Sequence, residues 1–350
     1  MLKGLRFLAP DLWSIRNSTK VLKIPVHSLE GNIKETPGQY PVKEPFSVNE
    51  LTGNSEPQSY EQETLLSKIT DISYKEWQRL CQKQSHKATL KEAYSLLWNR
   101  ADNLNQSQLQ ALLKWLQDFP TSIELSNFEK QMHHDSLGIA WESMGQLNQA
   151  LLAFEESLKI ARLDNPQADS NQPGPTPLTL QIQTDEQAAL RNISICLTNV
   201  ADIQAQIGQT QNALDNYQES LSIRRKIQNS SGDTPQTLRD ISLSLGNVAN
   251  IQAQIGQTQN ALDNYQESLV IAHKIQNISG DAPQTLRDIS VSLVKVALLE
   301  AEKEEKDNAI SHFEEALNLM EQAKTISDFK DSLEQDCQYI RNQLAPLKSS

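Results

Sequence analysis

The sequence predicts an all-α protein, an α-solenoid of antiparallel helix pairs with helical caps. Three observations carry this expectation. The stretch 197–221 returns at 245–269 with twenty-three of twenty-five positions identical, at an offset of 48 residues. Near-identity at a fixed spacing marks stacked repeat units. Within each copy the apolar residues recur at spacings of three and four, one stripe along a helix. Hydrophobic residues are 38% of the 350 and aromatics only 5%, which suits thin helical layers better than one thick core.

Residues 1–60 are expected to be poorly structured. Pro25, Pro37, Pro41, Pro45 and Pro57 fall among Gly, Ser, Asn and Glu without helical or strand period. Residues 1–23 hold Lys3, Arg6, Arg16, Lys20 and Lys23 against Asp11 alone. That segment is either a tail packed on the array or a basic patch for an anionic membrane or a partner. Pro10 and Asp11 break its apolar run and no small-residue cleavage site follows, so no signal peptide is expected.

Residues 61–120 read as an amino-terminal helical cap. Leu65, Ile69, Ile72, Trp77 and Leu80 keep helical spacing, as do Leu90, Ala93, Leu97 and Ala101. Leu109, Leu112, Leu113 and Leu116 form a third stripe that stops before Pro120.

The repeats occupy 121–327, as units 121–164, 184–231, 232–279 and 280–327. In the best-formed unit Asp233-Thr234-Pro235 starts a helix, with a capping oxygen and then a proline whose missing N–H costs nothing there. Its stripe is Leu238, Ile241, Leu245, Val248 and Ile255, and Gly256 ends it. Thr258 is expected to cap the second helix, which carries Ala261, Leu262, Tyr265, Ser268, Leu269, Ala272 and Ile275. A Pro-rich insertion at 165–183 separates the first two units, either tolerated at the array's edge or acting as a lid. Residues 328–350 supply a capping helix and tail, with Ser327 as the expected cap and Phe329, Leu333, Cys337 and Ile340 down one side.

These residues resemble the tetratricopeptide repeat family. The unit at 131–164 has Leu137-Gly138, Trp141, a turn glycine at Gly145, then Ala150 and Phe154. Later units keep Ala201, Gly208, Ala213 and Tyr217, then Ala249, Gly256, Ala261 and Tyr265, then Ala297, Ala309, Phe313 and Ala316. Gln204, Gln252 and Glu300 stand where the family usually has an aromatic, and Glu304 replaces the turn glycine. The period exceeds the family's roughly 34 residues by two heptads, which lengthens both helices without rotating their stripes. Bacterial arrays with lengthened units, and kinesin light chains more loosely, look similar. The resemblance implies a right-handed superhelix whose first helices line a concave groove.

Chemistry is not expected. The net charge of −12 argues against binding nucleic acid. No apolar run is long enough to span a membrane. Cys81, Cys196 and Cys337 match no zinc or redox spacing, which suggests a reducing, cytoplasmic setting. His133 and His134 diverge by about 100° on a helix and cannot share a small ligand sphere unaided. No phosphate loop or nucleophile motif stands out. The expectation is a non-enzyme with no cofactor or metal, and a small-molecule ligand is not expected. Caps at both ends argue against end-to-end self-assembly.

The informative surface is polar. Thr198, Asn199, Asp202 and Gln206 share a helical face in the second unit, and Gly246, Asn247, Asn250 and Gln254 repeat it in the third. The fourth offers Lys295, Leu298 and Glu302. The resemblance puts this face in the groove, where Asn and Gln amides can pair with a peptide backbone. The bland alternative is a solvated polar surface. The twin stretches differ only at Thr198/Gly246 and Asp202/Asn250, four apart on that face. A mid-helix glycine costs about 1 kcal/mol relative to alanine, so Gly246 indicates either a close approach or drift. The expected function is an interaction scaffold that holds an extended peptide or helix of another protein. The alternative is a regulatory or enzyme-accessory protein whose first 120 residues act while its repeats target.

Overall fold

The computed structural model describes residues 59–164, 179–327 and 330–349. The expected unstructured segment lies outside these but for 59–60, as do residues 165–178 of the insertion and Phe329. Among the described residues there are only helices, turns and loops. They are α1 (Ser59–Gln82), α2 (His86–Arg100), a 3-10 turn (Ala101–Asn103), α3 (Gln106–Gln117), α4 (Asn127–Ser143), α5 (Leu147–Asp164) and α6 (Thr179–Gln206). The carboxyl half has α7 (Thr210–Ser231), α8 (Pro235–Gln254), α9 (Thr258–Ser279), α10 (Pro283–Glu302), α11 (Lys306–Ile326) and α12 (Lys330–Ser349). They form two compact units, one ending at Ile207 and the other starting at Gly208.

In the amino-terminal unit α2 and α3 both lie against α4, and α4 to α6 pack in sequence order. A chain of ring contacts ties them: Trp77 to Trp115 at 6.1 Å and Trp115 to Phe119 at 5.3 Å, both edge-to-face, and Phe119 to His133 at 5.2 Å, tilted. Ser126 caps α4 and Glu129 reciprocates. The Ser126 backbone N–H, followed by Lys87 of α2, holds the Glu129 carboxyl down to about 2. A Cβ on Gly138 would sit 2.6 Å from the Phe154 ring. This is the close approach of paired helices that the small residue and the aromatic predict.

In the carboxy-terminal unit each helix packs on the next, from α7 to α12. Thr234 caps α8, accepting from the Thr237 N–H at 3.1 Å, with Pro235 in the first turn. Leu238, Ile241, Leu245 and Val248 are buried as their spacing predicts. Ile255 is not: it is 38% exposed, because it falls on the residue that leaves the helix, and Ile251 fills the core instead. Thr258 does not cap α9 but is its first residue, behind Gln257, which makes no side-chain cap bond. The backbone closes that turn itself. Gly256 takes a left-handed φ of +79°, and Gln257 N–H reaches Gln252 C=O at 2.8 Å. Glu304 makes the same turn at φ +63°, with Glu305 N–H on Glu300 C=O at 2.9 Å. The left-handed conformation costs a residue with a Cβ roughly 1–2 kcal/mol, so the packed helices on either side impose it.

The polar residues in place of family aromatics have a common use. Asn264 donates to Gln252 Oε1 at 2.6 Å across the α8–α9 hairpin. One repeat later His312 Nδ1 lies 2.7 Å from Glu300 Oε2 across the α10–α11 hairpin.

A second periodic interaction joins neighbouring repeats. Arg239 of α8 reaches Asp288 of α10 at 3.4 Å, and Arg287 of α10 reaches Asp336 of α12 at 3.0 Å. α12 thus stands where a fifth unit would begin, but it carries Gln335 where the next arginine would fall. Leu333, Cys337 and Ile340 are buried against Phe313 and Met320, as expected for a cap. Ser327 closes α11 in an extended conformation, and its expected capping of α12 falls on residues 328–329, outside those described. Lys324 lies 2.8 Å from Glu321 and 2.6 Å from Glu334, and Arg341 bridges the same two carboxylates.

The Arg287 and Asp336 side chains are only 5% and 0% exposed. Removing one partner leaves a buried charge, which typically costs about 3–5 kcal/mol. Asp336→Ala should lower unfolding stability in urea by that amount. The double replacement Arg287→Met/Asp336→Leu should recover most of it. A single-variant loss well under about 1 kcal/mol would show that the pair is not desolvated.

Candidate functional site

The site is built on α8 and α10, the first helices of two successive units. Asn247 and Asn250 are 7% and 9% exposed, while Gln254, Lys295 and Leu298 are half-buried. Lys295 bridges the two helices. A Cβ on Gly246 of α8 would come 3.3 Å from its Nζ. That Nζ also sits 5.4 Å from the centre of the Tyr265 ring, a cation–π distance. The Tyr265 hydroxyl donates to Asn250 Oδ1 at 2.5 Å.

The electrostatics are lopsided. Among the described residues Lys295 has no carboxylate partner, and burial alone pushes its ammonium down to about 8. Burial raises Glu302 above the usual carboxylate range. Burial and the Glu302 charge together push the Tyr265 hydroxyl up. A partly desolvated ammonium without a carboxylate partner can donate to an anionic oxygen or a carbonyl.

The structure therefore brings Gly246, Asn250 and Lys295 together around Tyr265, with Asn247 and Gln254 on the same helix as Asn250. Two expectations need correction. Asn250 is already engaged, because Tyr265 comes from the next helix and its hydroxyl needs an acceptor. Leu298 packs partly against the hydrophobic core and is not simply displayed in a groove.

The counterpart face in the amino-terminal unit is buried, not solvated. Thr198 donates to the Ser194 carbonyl at 2.9 Å, and Asn199 and Asp202 are buried. Gln206 donates to Glu142 of α4 at 3.1 Å. Asn199 Nδ2 is buried without a hydrogen-bond partner among the described residues. Gln206 thus spends its amide on holding α6 to α4.

Sequence reading missed a polar cluster inside the same unit. Gln131 and Asn192 exchange amide hydrogen bonds at 2.9 and 2.7 Å. Gln131 also donates to Cys196 Sγ at 3.0 Å. Ser157 lies 3.6 Å from that sulfur. Burial pushes the nearby Asp135 carboxyl up to about 7, only partly offset by its Ser157 hydrogen bond. The Cys196 thiol is driven up by burial and by Asp135, so it is no nucleophile. The one sequence signal was polar residues falling on the face of α4 that also carries Met132 and Ile139.

His133 and His134 are 5.6 Å apart with rings near perpendicular, and His133 Nε2 lies 2.8 Å from the Leu116 carbonyl. Glu321, Glu334 and Cys337 converge closely enough for a metal. Lys324 and Arg341 already neutralise both carboxylates, so that cluster is an ion-pair clasp. Among the described residues no helix is long and apolar enough to cross a membrane.

No family model and no curated protein matches the chain. Solved structures resemble it in fold. BtubC (BKLC) from P. vanneervenii is 16% identical over 77% of this chain and 91% of its own, with a TM-score of 0.47. The apo form of RapI is 13% identical over 79% and 72%, with a TM-score of 0.48. A putative kinesin light chain of Podosopora anserina with nearly identical TPR-like repeats is 16% identical over 74% and 97%, with a TM-score of 0.40. The chain folds as a tetratricopeptide-like array. Its paired helices, glycine turns and 48-residue period carry that statement.

Two substitutions probe this chemistry. In Gly246→Ala the helix gains up to about 1 kcal/mol of propensity. The close contact is with the far end of a flexible lysine, which can shift. The variant should therefore unfold at slightly higher urea, and a loss of stability would mean that Lys295 is rigidly held. Asp135 binds a proton in the fold that the unfolded chain releases between about pH 4 and 7. Stability should fall as pH rises through that window and level off above about 7. Asp135→Asn should flatten that fall and raise the melting temperature more at pH 8 than at pH 4. Parallel pH profiles for the two proteins would refute this origin.

Proposed function

We propose that this protein is an interaction scaffold, without catalytic activity of its own, that holds an extended segment of another protein against α8 and α10. The observation that carries the reading is Lys295, a half-buried ammonium with no ion partner among the described residues. Desolvating a cation without a partner costs stability, and a ligand that supplies the missing anion would recover it. Asn247 and Gln254 support the reading, since neither is committed to a side-chain partner the way Asn250 is. Their amides can serve the N–H and C=O of a peptide backbone. The three unpaired cysteines support a reducing, cytoplasmic setting.

The test is affinity capture with the full-length protein and with Asn247→Ala/Gln254→Ala. The variant should keep its helical circular dichroism and urea midpoint while recovering its specific partners several-fold less well. Undiminished recovery by a folded variant would count against this face.

A further inference from the structure

α10 carries five ionisable side chains, Arg287, Asp288, Lys295, Glu300 and Glu302. Three are committed: Arg287 to Asp336, Asp288 to Arg239, and Glu300 to His312. Lys295 and Glu302 make no ion pair among the described residues. Lys303, which adjoins Glu302, is taken by Glu305 at 2.6 Å. The two uncommitted charges are opposite in sign and seven residues apart. Two helical turns put them on one face, about 10 Å apart along the axis. On α8, Asn247 and Gln254 repeat the same seven-residue step. One helix thus offers a pair of amides and its neighbour a pair of charges, at matching heights.

An extended ligand can meet both charges in few ways. A polyproline-type strand advances about 3.1 Å per residue with three residues per turn. Residues three apart then lie on one side, about 9 Å apart. A flat β-strand puts residues three apart on opposite sides, and its same-side steps are about 7 or 13 Å. Resting on the scaffold reading above, we infer that the partner segment is an extended, polyproline-like stretch with one acidic and one basic side chain three residues apart. The acid meets Lys295, the base meets Glu302, and Asn247 and Gln254 hold the backbone.

The test uses end-capped, dye-labelled peptides on an Ala/Pro/Gln background, read by fluorescence anisotropy at low salt against the full-length protein. Each carries one Asp and one Lys at a spacing of two, three, four or seven, in both orders, beside an uncharged control. The spacing-three probe should bind about tenfold tighter than the others, as one good charge-assisted contact gives. That advantage should vanish in Lys295→Met and in Glu302→Gln, and shrink as salt rises. Circular dichroism and urea midpoints of both variants check that the fold is kept. A best spacing of seven would mean a helical ligand, and two or four a β-strand; each overturns the inference. Equal binding of all probes, lost in Asn247→Ala/Gln254→Ala, would overturn it while the scaffold reading stands. If no probe binds, the result counts against both.

Discussion

A helix pair of this kind has an apolar flank on each side, and only a neighbouring pair can cover it. Hydrophobic contact sets no register along that flank, because one buried leucine resembles another. Here the register comes from charge. The Arg239–Asp288 and Arg287–Asp336 contacts join successive first helices at corresponding positions, and the second is almost wholly desolvated. A slip by one turn would leave a guanidinium and a carboxylate buried apart, at a cost larger than any single packing error. The last step supplies the acceptor Asp336 but puts Gln335 at the donor position, so the series stops at α12.

The same preference for polar fixings recurs within the hairpins. Tetratricopeptide-like units generally fill the space between paired helices with an aromatic. Every unit keeps one such ring, Phe154 over Gly138 and then Tyr217, Tyr265 and Phe313. Where α4 has a second aromatic, Trp141, the later units use Gln252 with Asn264 and Glu300 with His312. Such contacts tolerate less displacement than a ring, since a buried hydrogen bond stretched beyond its range leaves an orphaned group. They go with the low aromatic content, and with a turn held so firmly that Glu304 accepts a left-handed backbone.

The fold was largely legible because it depends on local signals: apolar stripes, Pro235 and Pro283 at helix starts, and the turn glycines. Failures came where a neighbour decides. Thr258 has the chemistry of a cap, yet the backbone of the glycine turn had already met the need. Ile255 continues the stripe by count but sits past the last helical residue. The site was half legible. Spacing puts Asn247, Asn250 and Lys295 on one face, but it cannot reveal that Tyr265 of another helix claims Asn250. Nor can it reveal Asp135, since its burial depends on α5 and α6 closing over it.

The mismatch between the twin stretches has a physical reading in these terms. Gly246 was open to explanation as a close approach or as drift. In the fold the space it leaves is bounded by the Lys295 ammonium, within a Cβ's contact distance. The other copy has Thr198, whose branched side chain bonds back to Ser194 and needs that space itself. Lysine at 295 and glycine at 246 are therefore coupled. A β-branched residue at 246 would push the ammonium off the Tyr265 face, while a small neutral residue at 295 would leave Gly246 as a plain weakness in its helix. The helix gives up propensity at 246 beside a charge at 295 that meets the Tyr265 ring but no carboxylate within the described fold. A cost borne for an unmatched cation is what one expects of a contact completed by another molecule.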